Sequence, residues 1–310
     1  MDDKYVVVIG GINADITGTS FANIIERDSN PGKVEISIGG VGRNIAENIS
    51  RLGVRTKLLS AVGDDLYGTL ALRKTKKARV DVSDVIVHKG MSTSVYLAVN
   101  TPQGDLNVSV SDMGLCETIT PDYLSEHIDV LNAACAVVID TNLPEATLQY
   151  LFENVKVPIF ADAVSVTKSF KLKPHFKKLY TLKLNQSEAE ALSGIKISGI
   201  QDASNAAQII IKSGVRNVYI TMGAKGVVYS CDDSTASIPS FNRKVVNTNG
   251  CGDSFAGALV YGFVKGLSTK NCAMAVLAAA SICIGSNSSI SPDMTEKNIL
   301  KLIRLKPETI

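Results

Sequence analysis

Short runs rich in β-branched residues alternate with amphipathic helical patterns along most of the chain. The helical patterns predict helices over Asn44–Leu52, closed by Gly53, and over Asp202–Lys212, closed by Gly214. Such alternation is typical of an α/β fold with a doubly wound, mostly parallel sheet and helices on both faces, which binds ligands at the carboxyl ends of its strands. The predicted strands are Tyr5–Ile9, Lys57–Ser60, Ala136–Ile139, Pro158–Ala161, Leu179–Leu184 and Asn217–Thr221.

Other stretches break this alternation and predict a small additional sheet. Polar and apolar residues alternate in Val34–Ile38, and they do so again in Thr93–Asn100 and Leu106–Ser111, which flank the turn-like Thr101–Asp105 and so predict a hairpin. Because Gly39–Gly40 directly follows the first of these segments, we interpret the sheet as a hinged lid; an ordinary extension of the main sheet is the alternative. The lid would comprise roughly residues 12–38 and 92–111 of a single domain spanning residues 1–310.

Composition narrows the possible partners. The chain has 310 residues, of which 45% are hydrophobic and 20% charged, and its net charge is +2. These values are typical of a globular protein with a large core, and they argue against a nucleic acid or a membrane as the partner. The longest nearly apolar run, Ala273–Ile284, is too short to cross a bilayer, so we predict a buried helix there. The N-terminal sequence MDDKYVVVIGG lacks the features of a signal peptide, so we expect a cytoplasmic protein.

The cysteine and histidine patterns argue against two kinds of site. The six cysteines include no C-x-x-C pair, and none stands at metal-ligand spacing from a histidine, which argues against a zinc site. The histidines are widely separated along the chain, which argues against a histidine-based catalytic triad. We interpret the cysteines as free thiols in a reducing compartment.

The most informative segment is VVNTNGCGDSFAGAL, residues 245–259. Gly250 and Gly252 flank Cys251, and a helical pattern begins at Asp253. The first N–H groups of a helix have no intrahelical partner, and together with the helix dipole they suit an anion such as a phosphoryl group. Asp253 is then either a catalytic base or a helix N-cap, and its local sequence does not decide between them. The glycine spacing is not that of a P-loop, which needs Gly-Lys-Ser/Thr.

This segment resembles the signature of the ribokinase-like (PfkB) carbohydrate kinase family, D-T-x-G-A-G-D followed by x-F-x-G. The resemblance implies that Asp253 is the catalytic base and that the N–H groups of Gly250, Cys251 and Gly252 form an anion hole. Cys251 replaces the usual alanine and would act through its backbone. The matching positions are Thr248, Gly250, Gly252, Asp253, Phe255 and Gly257.

One position departs from the signature. Its first Asp is Asn247 in this chain. In members of the family that Asp helps to hold an activating monovalent cation, so a dependence on such a cation stays open here.

The segment GGINAD, residues 10–15, follows a predicted buried strand. It lacks the G-x-G-x-x-G spacing, which argues against a dinucleotide-binding fold. The resemblance implies that Asn13 and Asp15, two residues apart on one side of an extended segment, bind sugar hydroxyls. An Asx-type turn after the strand is the alternative.

The segment GGVGRNIA, residues 39–46, matches another motif of the family, GGxGxNxA. The resemblance implies that Gly39 and Gly40 allow the backbone to approach the substrate and that Asn44 bonds a ribose hydroxyl. Arg43 is interpreted either as facing the substrate or phosphate or as an ordinary residue on a helix surface.

The nucleotide side of the family pattern has two candidate motifs. Asn185 and Glu188 match N-x-x-E, which implies that they help to place Mg²⁺ and phosphates, largely through water. Without the resemblance, the pair would be read as a helix start with Asn185 as its cap. Thr221, Gly223 and Gly226 match T/S-x-G-x-x-G, which lines the nucleotide site in the family; alone, this is a strand followed by a turn.

Several segments resemble the pseudouridine kinases of this family more than its ribokinases. The resemblance implies that Asp112, Asn142, Asp162 and Lys168 lie near the nucleobase or at the rim of the site, with surface roles as the alternative. At Leu184 the related pattern has proline, which leaves the substrate less securely defined than the reaction. The segments include Asn30–Lys33, GGVGRN at 39–44, LLSAVGDDLYG at 58–68, DAVSVTK at 162–168 and LKLNQSEAEALSG at 182–194.

These patterns together predict a kinase that uses ATP and Mg²⁺ to phosphorylate the 5′-hydroxyl of pseudouridine. A ribokinase or another nucleoside or sugar kinase is the alternative within the family. An inactive nucleotide- or sugar-binding regulator is the alternative outside enzymes. We expect a small-molecule substrate and a homodimer formed through the lid.

Overall fold

A mixed nine-stranded sheet forms the centre of the structure, a computed structural model that describes residues 4–231, 234–241 and 244–305. In this part of the chain the strands are β1 (Tyr5–Ile9), β2 (Asn13–Ser20), β3 (Gly32–Gly39), β4 (Arg55–Leu59), β5 (Ala61–Gly63), β6 (Val80–Asp81), β7 (Ile86–His88), β8 (Val95–Asn100), β9 (Leu106–Asp112), β10 (Ala136–Asp140), β11 (Ile159–Asp162), β12 (Leu179–Asn185), β13 (Asn217–Thr221), β14 (Val227–Cys231) and β15 (Ser234–Ile238). The α-helices are α1 (Val41–Arg51), α2 (Leu66–Lys77), α3 (Pro121–Glu126), α4 (Ile128–Ala133), α5 (Glu145–Asn154), α6 (Val166–Ser169), α7 (Gln186–Ser193), α8 (Ile200–Lys212), α9 (Cys251–Val264), α10 (Thr269–Ile284) and α11 (Glu296–Leu305).

The central sheet runs in the order β15-β14-β13-β12-β11-β10-β1-β4-β6. The seven strands β13-β12-β11-β10-β1-β4-β6 are parallel to one another, and β14 and β15 add an antiparallel edge next to β13. Alternate residues of β1 pack into different cores: Val6 and Val8 face the core that contains α1, α9 and α10, whereas Val7 and Ile9 face the core that contains α5 and α8. Burial on both faces explains the continuous apolar runs, and the predicted doubly wound α/β fold is confirmed.

The helix starts differ from the predicted ones. Helix α1 begins at Val41, three residues before Asn44, because Gly40 with a φ of 99° provides the N-cap. Helix α9 begins at Cys251 with Gly250 as its N-cap, two residues before Asp253. The apolar stripe of each helix starts later than its backbone, so the sequence pattern placed both starts too late.

The smaller sheet has the order β3-β2-β8-β9, and β8 and β9 form the predicted antiparallel hairpin. Its two faces differ in polarity. Asp15 pairs with Ser37 on one side and with Tyr96 on the other, and these three residues line a cavity against the central sheet. The opposite face carries Val34, Ile36, Leu97, Val108 and Val110, whose side chains are between 40% and 66% exposed.

The small sheet is therefore present, whereas its role as a lid and the single-domain boundaries stay predictions; residues 1–3 and 306–310 of the predicted domain lie outside the described residues. Helix α10 contains the predicted buried helix at Ala273–Ile284. Across the described ranges, none of the helices combines the length and the apolarity that crossing a bilayer requires.

Candidate active site

A cavity of 530 Å³ lies between the small sheet and the carboxyl ends of the central strands. Asn13 and Asp15 project into it from β2, and the Asn13 amide nitrogen donates to Asp15 Oδ1 at 2.6 Å. Gly40 lines the cavity, and Gly39 lies against Asp15 so closely that a Cβ there would be 2.1 Å from Asp15 Oδ2. The structure thus brings the predicted sugar-binding residues Asn13 and Asp15 together in the lining of one cavity. The Asn13 amide can donate and accept hydrogen bonds there, and the Asp15 carboxylate can accept them.

The lining of the cavity also includes a Lys–Asn pair. Lys168 Nζ donates to Asn142 Oδ1 at 2.6 Å, and both residues line the cavity. An ammonium group beside an amide offers a donor and an acceptor to a polar ring. Asp112, predicted for the same region, differs: it is exposed, its Oδ1 accepts from Gly114 N at 3.2 Å, and its neighbours Ser111 and Met113 line the cavity instead. The alternation of side chains along β9 explains this, because Asp112 follows the cavity-facing Ser111.

The N-terminus of α9 reaches the cavity through its N-cap, Gly250, which belongs to the lining. Gly250 has a φ of 76°, and a Cβ at this position would lie 2.0 Å from Ser289 O, so glycine is required for both reasons. The first intrahelical hydrogen bond runs from Ser254 N to Gly250 O at 2.9 Å, which leaves the first-turn N–H groups directed out of the helix. Cys251 N also donates to Thr248 O at 3.3 Å. Cys251 N–H is thus engaged by Thr248 O, and binding of an anion by the N–H groups of Gly250, Cys251 and Gly252 stays a prediction.

Asp253 lies in the first turn of α9, three residues after the N-cap. The alternative that it is itself the N-cap is therefore wrong. Asn44 reaches it across the site: the Asn44 amide nitrogen donates to Asp253 Oδ2 at 2.8 Å. Burial raises the pKa of Asp253 to about 7, and the nearby Asp162 carboxylate adds to the rise, whereas the bond from Asn44 and the Lys183 ammonium oppose it. A carboxylate with a pKa near neutrality suits a general base.

Lys183, which sequence reasoning missed, lies beneath the α9 N-terminus. Its Nζ is 3.0 Å from Asp162 Oδ2, and the side chains are 9% and 3% exposed. A Cβ on Gly252 would lie 2.8 Å from the same Nζ, so the glycine leaves space for the ammonium group. The carboxylates of Asp162 and Glu188 raise the pKa of Lys183 against the opposite effect of burial. A lysine within the otherwise apolar run LYTLKLN, next to the end of a buried strand, is the signal that would have found it.

Asp162 belongs to this charged pair and not to the rim. It ends β11, its register partner on β12 is Lys183, and it does not line the cavity. The predicted position of Asp162 near the nucleobase or at the rim is therefore corrected: it is buried at the strand end and its carboxylate faces Lys183.

Asn185 and Glu188 form a complete capping box at the start of α7. Asn185 Oδ1 accepts from Glu188 N at 2.9 Å, while Glu188 accepts from Asn185 N at 2.7 Å and from its amide nitrogen at 2.8 Å. The interpretation as a helix start is confirmed. Within the described residues, no three His, Cys, Asp or Glu side chains are arranged to hold a metal ion directly. The predicted placement of Mg²⁺ by this pair, largely through water, stays a prediction.

Thr221, Gly223 and Gly226 follow the neighbouring strand. Thr221 ends β13, where its register partner is Asn185, and its hydroxyl donates to Leu184 O at 3.3 Å. Gly223 starts a short 3₁₀ helix and Gly226 ends it. These residues lie beside α7 and do not line the cavity of 530 Å³, so the structure separates them from the predicted sugar-binding residues Asn13 and Asp15.

The site arrangement agrees with the comparisons with known proteins. The model of the pfkB family carbohydrate kinases matches residues 3–297. The chain belongs to the PfkB family. It is 35% identical to a pseudouridine kinase of Escherichia coli (strain K12), over 97% of each chain, and 28% identical to a guanosine-inosine kinase of Exiguobacterium acetylicum, over 94% of this chain and 98% of that one.

The fold agrees as well. A ribokinase of Arabidopsis thaliana, solved as a complex with ribose and ATP, superposes with a TM-score of 0.86 at 22% identity, over 98% of this chain and 99% of that one. This PfkB kinase is a phosphotransferase that acts on a hydroxyl group.

Two residues of this PfkB kinase need separate comment. Arg43 neither faces the substrate nor lies on a helix surface: its side chain is buried and bonded to Glu47. Both interpretations of Arg43 are therefore wrong, because the N-terminal half of α1 is packed on every side. Asn247 accepts from Asn249 N at 2.9 Å and donates to Asn287 O at 3.5 Å, so it links the segment before α9 to the segment after α10. The dependence on a monovalent cation stays open.

Asp140 is a further residue, noted in the sequence beside Asn142 but given no role there. It is fully buried at the end of β10, where Oδ2 accepts from Gly11 N at 2.9 Å and from Gly42 N at 2.8 Å, and Oδ1 accepts from Asn142 N at 2.8 Å. One carboxylate therefore joins the segment after β1, the first turn of α1 and the segment after β10. The sequence shows an Asp at the end of a predicted strand, where ligand-binding residues of α/β sheets lie. It does not show the partners of Asp140, because Gly11 and Gly42 come from distant parts of the chain.

Proposed function

We propose that this kinase transfers the γ-phosphoryl group of ATP to the 5′-hydroxyl of pseudouridine. The observation that carries the proposal is the set of groups at one cavity: its lining includes the Asn13–Asp15 pair, the Lys168–Asn142 pair and Asn44, and the Asn44 amide nitrogen donates to Asp253. A nucleoside offers groups of the matching kinds, namely a primary hydroxyl, a ribose diol and a polar base. The 35% identity to a pseudouridine kinase supports the same acceptor.

Asp253 would accept the proton of the hydroxyl as it attacks the γ-phosphorus. The bond to the departing ADP then breaks, and the N–H groups of Gly250, Cys251 and Gly252 stabilise the charge on the transferred group. The buried Lys183 ammonium adds a positive charge from below. Such groups act strongly because they are fixed before the reaction and shielded from water.

Mg²⁺ would neutralise phosphate charge when bound. The residues present fit a hydrated ion: the carboxylates of Asp162 and Glu188 lie near the ammonium of Lys183, whose single charge they exceed. Asn185 and Glu188 would orient water in its outer shell. Thr221, Gly223 and Gly226 would line the nucleotide site beside them.

The Lys168–Asn142 pair supports pseudouridine over a free sugar. Its ammonium donates and its amide oxygen accepts, which matches the adjacent C=O and N–H groups along an edge of uracil. Pseudouridine is attached through carbon, so its ring carries an additional N–H that uridine lacks. The small sheet would close over the ribose as a lid and exclude water.

A homodimer through the small sheet is part of the proposal. The outward face of that sheet exposes Val34, Ile36, Leu97, Val108 and Val110 together, an apolar surface that a second copy would cover. The identical face of the partner is complementary in polarity, as a two-fold interface requires.

A panel of acceptors tests the substrate. ADP release with ATP and Mg²⁺ would be measured for pseudouridine, uridine, inosine, guanosine, ribose and fructose, in the wild-type enzyme and in Lys168→Ala. We expect the largest kcat/KM for pseudouridine, reduced by about 10- to 100-fold in Lys168→Ala, since one charged hydrogen bond is lost, with ribose hardly affected. A larger kcat/KM for ribose would contradict the proposal, and a purine nucleoside as best acceptor would favour the activity of the guanosine-inosine kinase. Binding of nucleoside without ADP release would indicate a regulator.

A further inference from the structure

We propose that Arg43 is a positioning residue for Asp253: it fixes the Asn44 amide so that the nitrogen, and not the oxygen, faces the catalytic carboxylate. The inference rests on the proposed function of Asp253 as the base. It assigns a role to a buried arginine that touches neither the acceptor cavity nor the protein surface.

The contacts of Arg43 hold its guanidinium in one orientation. Nη1 donates to Asn44 Oδ1 at 3.1 Å and to Ile38 O at 3.1 Å, Nε donates to Thr75 Oγ1 at 3.3 Å, and Nη2 donates to Glu47 Oε2. These partners lie on β3, on α2 and on α1 itself. A planar guanidinium with four such bonds has no freedom to rotate.

This fixed guanidinium determines which way the Asn44 amide points. Arginine only donates, so it must bond the amide oxygen, and the amide nitrogen is then turned towards Asp253 Oδ2, 2.8 Å away. The reversed amide would place its NH₂ group against the guanidinium. The two neighbours of Asn44 therefore permit a single orientation.

A fixed donor opposes protonation of Asp253. An ionised carboxylate accepts the hydrogen bond from Asn44, whereas a proton on Oδ2 would face the NH₂ group. Without Arg43 the amide is free to reverse and to accept from the protonated acid. The opposition matters because burial and the carboxylates of Asp162 and Asp140 favour protonation, while Lys183 is the cation that opposes it.

Other ionisable groups near Asp253 could also change its pKa. Asp140, Asp162 and Lys183 face it from the ends of β10, β11 and β12, and the thiols of Cys251 and Cys283 face it from α9 and α10. None of them contacts Arg43 through a hydrogen bond recorded within the described residues. A substitution at Arg43 therefore reaches Asp253 through Asn44.

The test measures the ionisation of Asp253 directly. The carboxyl carbons of the full-length protein would be followed by ¹³C NMR between pH 4 and pH 10, with Asp253 assigned from the signal lost in Asp253→Asn. In Arg43→Met we expect the pKa of Asp253 to rise by about one unit, equivalent to one charge-assisted hydrogen bond, so that kcat at pH 7 falls about fivefold and approaches the wild-type value above pH 9. A role in stability alone would give a loss of kcat that pH does not restore.

Arg51→Met is the matched control. Arg51 pairs with the other oxygen of Glu47, at 2.7 Å from Oε1, but has no bond to Asn44, so the pKa of Asp253 should stay unchanged. If Arg43→Met does not fold, the pair Arg43→Met/Glu47→Met removes both buried charges together, a change that proteins often tolerate.

Arg43→Met in an Asn44→Ala background distinguishes an effect on Asp253 that passes through the Asn44 hydrogen bond from a direct effect of the lost Arg43 charge. We expect no further change in the pKa of Asp253 there. An equal rise in both backgrounds, or no rise in a folded Arg43 variant, would overturn the proposal. The titration needs no substrate, so its result does not depend on the identity of the acceptor. Near-normal turnover of Asp253→Asn would refute the role of Asp253 as the base, but it would leave the pKa difference between the wild-type protein and Arg43→Met unchanged.

Discussion

Replacing Lys183 by methionine removes the ammonium group that lies between the phosphate-transfer end of the site and the buried Asp162 carboxylate. The two charges are 3.0 Å apart, and at an effective dielectric constant of about 20 their attraction is about 5.5 kcal/mol. Part of this attraction offsets the cost of burying both groups. Because Asp162 would be left as an unpaired buried charge, we expect the free energy of unfolding to fall by about 3–5 kcal/mol.

Urea unfolding at neutral pH measures this loss, with Lys57→Met as the control. Lys57 makes similarly short contacts, at 2.6 Å to Asp84 and 2.8 Å to Asp81, but these partners are 24% and 49% exposed. Solvent screens such a pair, so we expect a change of no more than about 1 kcal/mol. The double variant Lys183→Met/Asp162→Asn, which leaves no unpaired charge, should recover part of the stability.

Lys183→Met also tests the chemistry. We expect kcat to fall by about 100- to 1,000-fold, as when a donor aimed at developing charge is removed, with the KM for the acceptor nearly unchanged. The double variant should not recover kcat even where it recovers stability. A single variant that keeps kcat within about threefold of the wild-type value would refute the role assigned to this ammonium group.

Three further predictions concern other parts of the molecule. The pKa of Asp253 rises from 3.8 to about 7 on folding. Because the base must be ionised, kcat/KM should increase with pH up to about pH 7 and then level off. Between these two pKa values the folded state binds a proton that the unfolded state has lost, so the contribution of Asp253 to the free energy of unfolding should decrease as the pH rises from about 3.8 to about 7. A pH–rate profile with no inflection between pH 6 and pH 8 would count against this. Gly252→Ala, whose Cβ would lie 2.8 Å from Lys183 Nζ, should lower kcat while thermal unfolding changes little, since alanine is favoured within a helix; a wild-type kcat would show that the ammonium position is unimportant. Val110→Lys on the outward face of the small sheet should convert a dimer into a monomer by light scattering, with Lys33→Glu on the same sheet as a control that stays dimeric; a Val110→Lys variant that remains a dimer would exclude this interface.

The sequence predicted six of the nine strands of the central sheet, because each of these six is an apolar run bounded by helical patterns, whereas it did not predict β6, β14 and β15. The exact starts of α1 and α9 were predicted less well, because a glycine N-cap such as Gly40 or Gly250 has no side chain that would distinguish it from a glycine in a loop. The hairpin of the small sheet was predicted from alternation alone. Whether that sheet moves as a lid depends on energies that a pattern of residue types does not contain.

The site was predicted less completely because its contacts join distant parts of the chain. Asn44 bonds Asp253 across 209 positions, and Asp140 accepts from the backbone at Gly11 and at Gly42, the latter in the first turn of α1. Asp162 and Lys183 are neighbours only because β11 pairs with β12 in one particular register. Arg43 was misread for a related reason: whether a helix residue faces solvent depends on what packs against it, and its covering elements, β3 and α2, are not encoded nearby.

The central claim is that Asp253 is the base, and Asp253→Asn tests it most directly. Asparagine keeps the size and position of the side chain but does not accept the proton, so kcat should fall by about 100- to 10,000-fold while ATP binding measured by calorimetry stays close to that of the wild-type enzyme. Asp202→Asn is the matched control because Asp202 holds the same position in the first turn of α8, away from the site, where it accepts from Ser198 N at 2.9 Å. The account predicts near-normal kcat for Asp202→Asn and a large loss for Asp253→Asn; near-normal turnover of Asp253→Asn would contradict it.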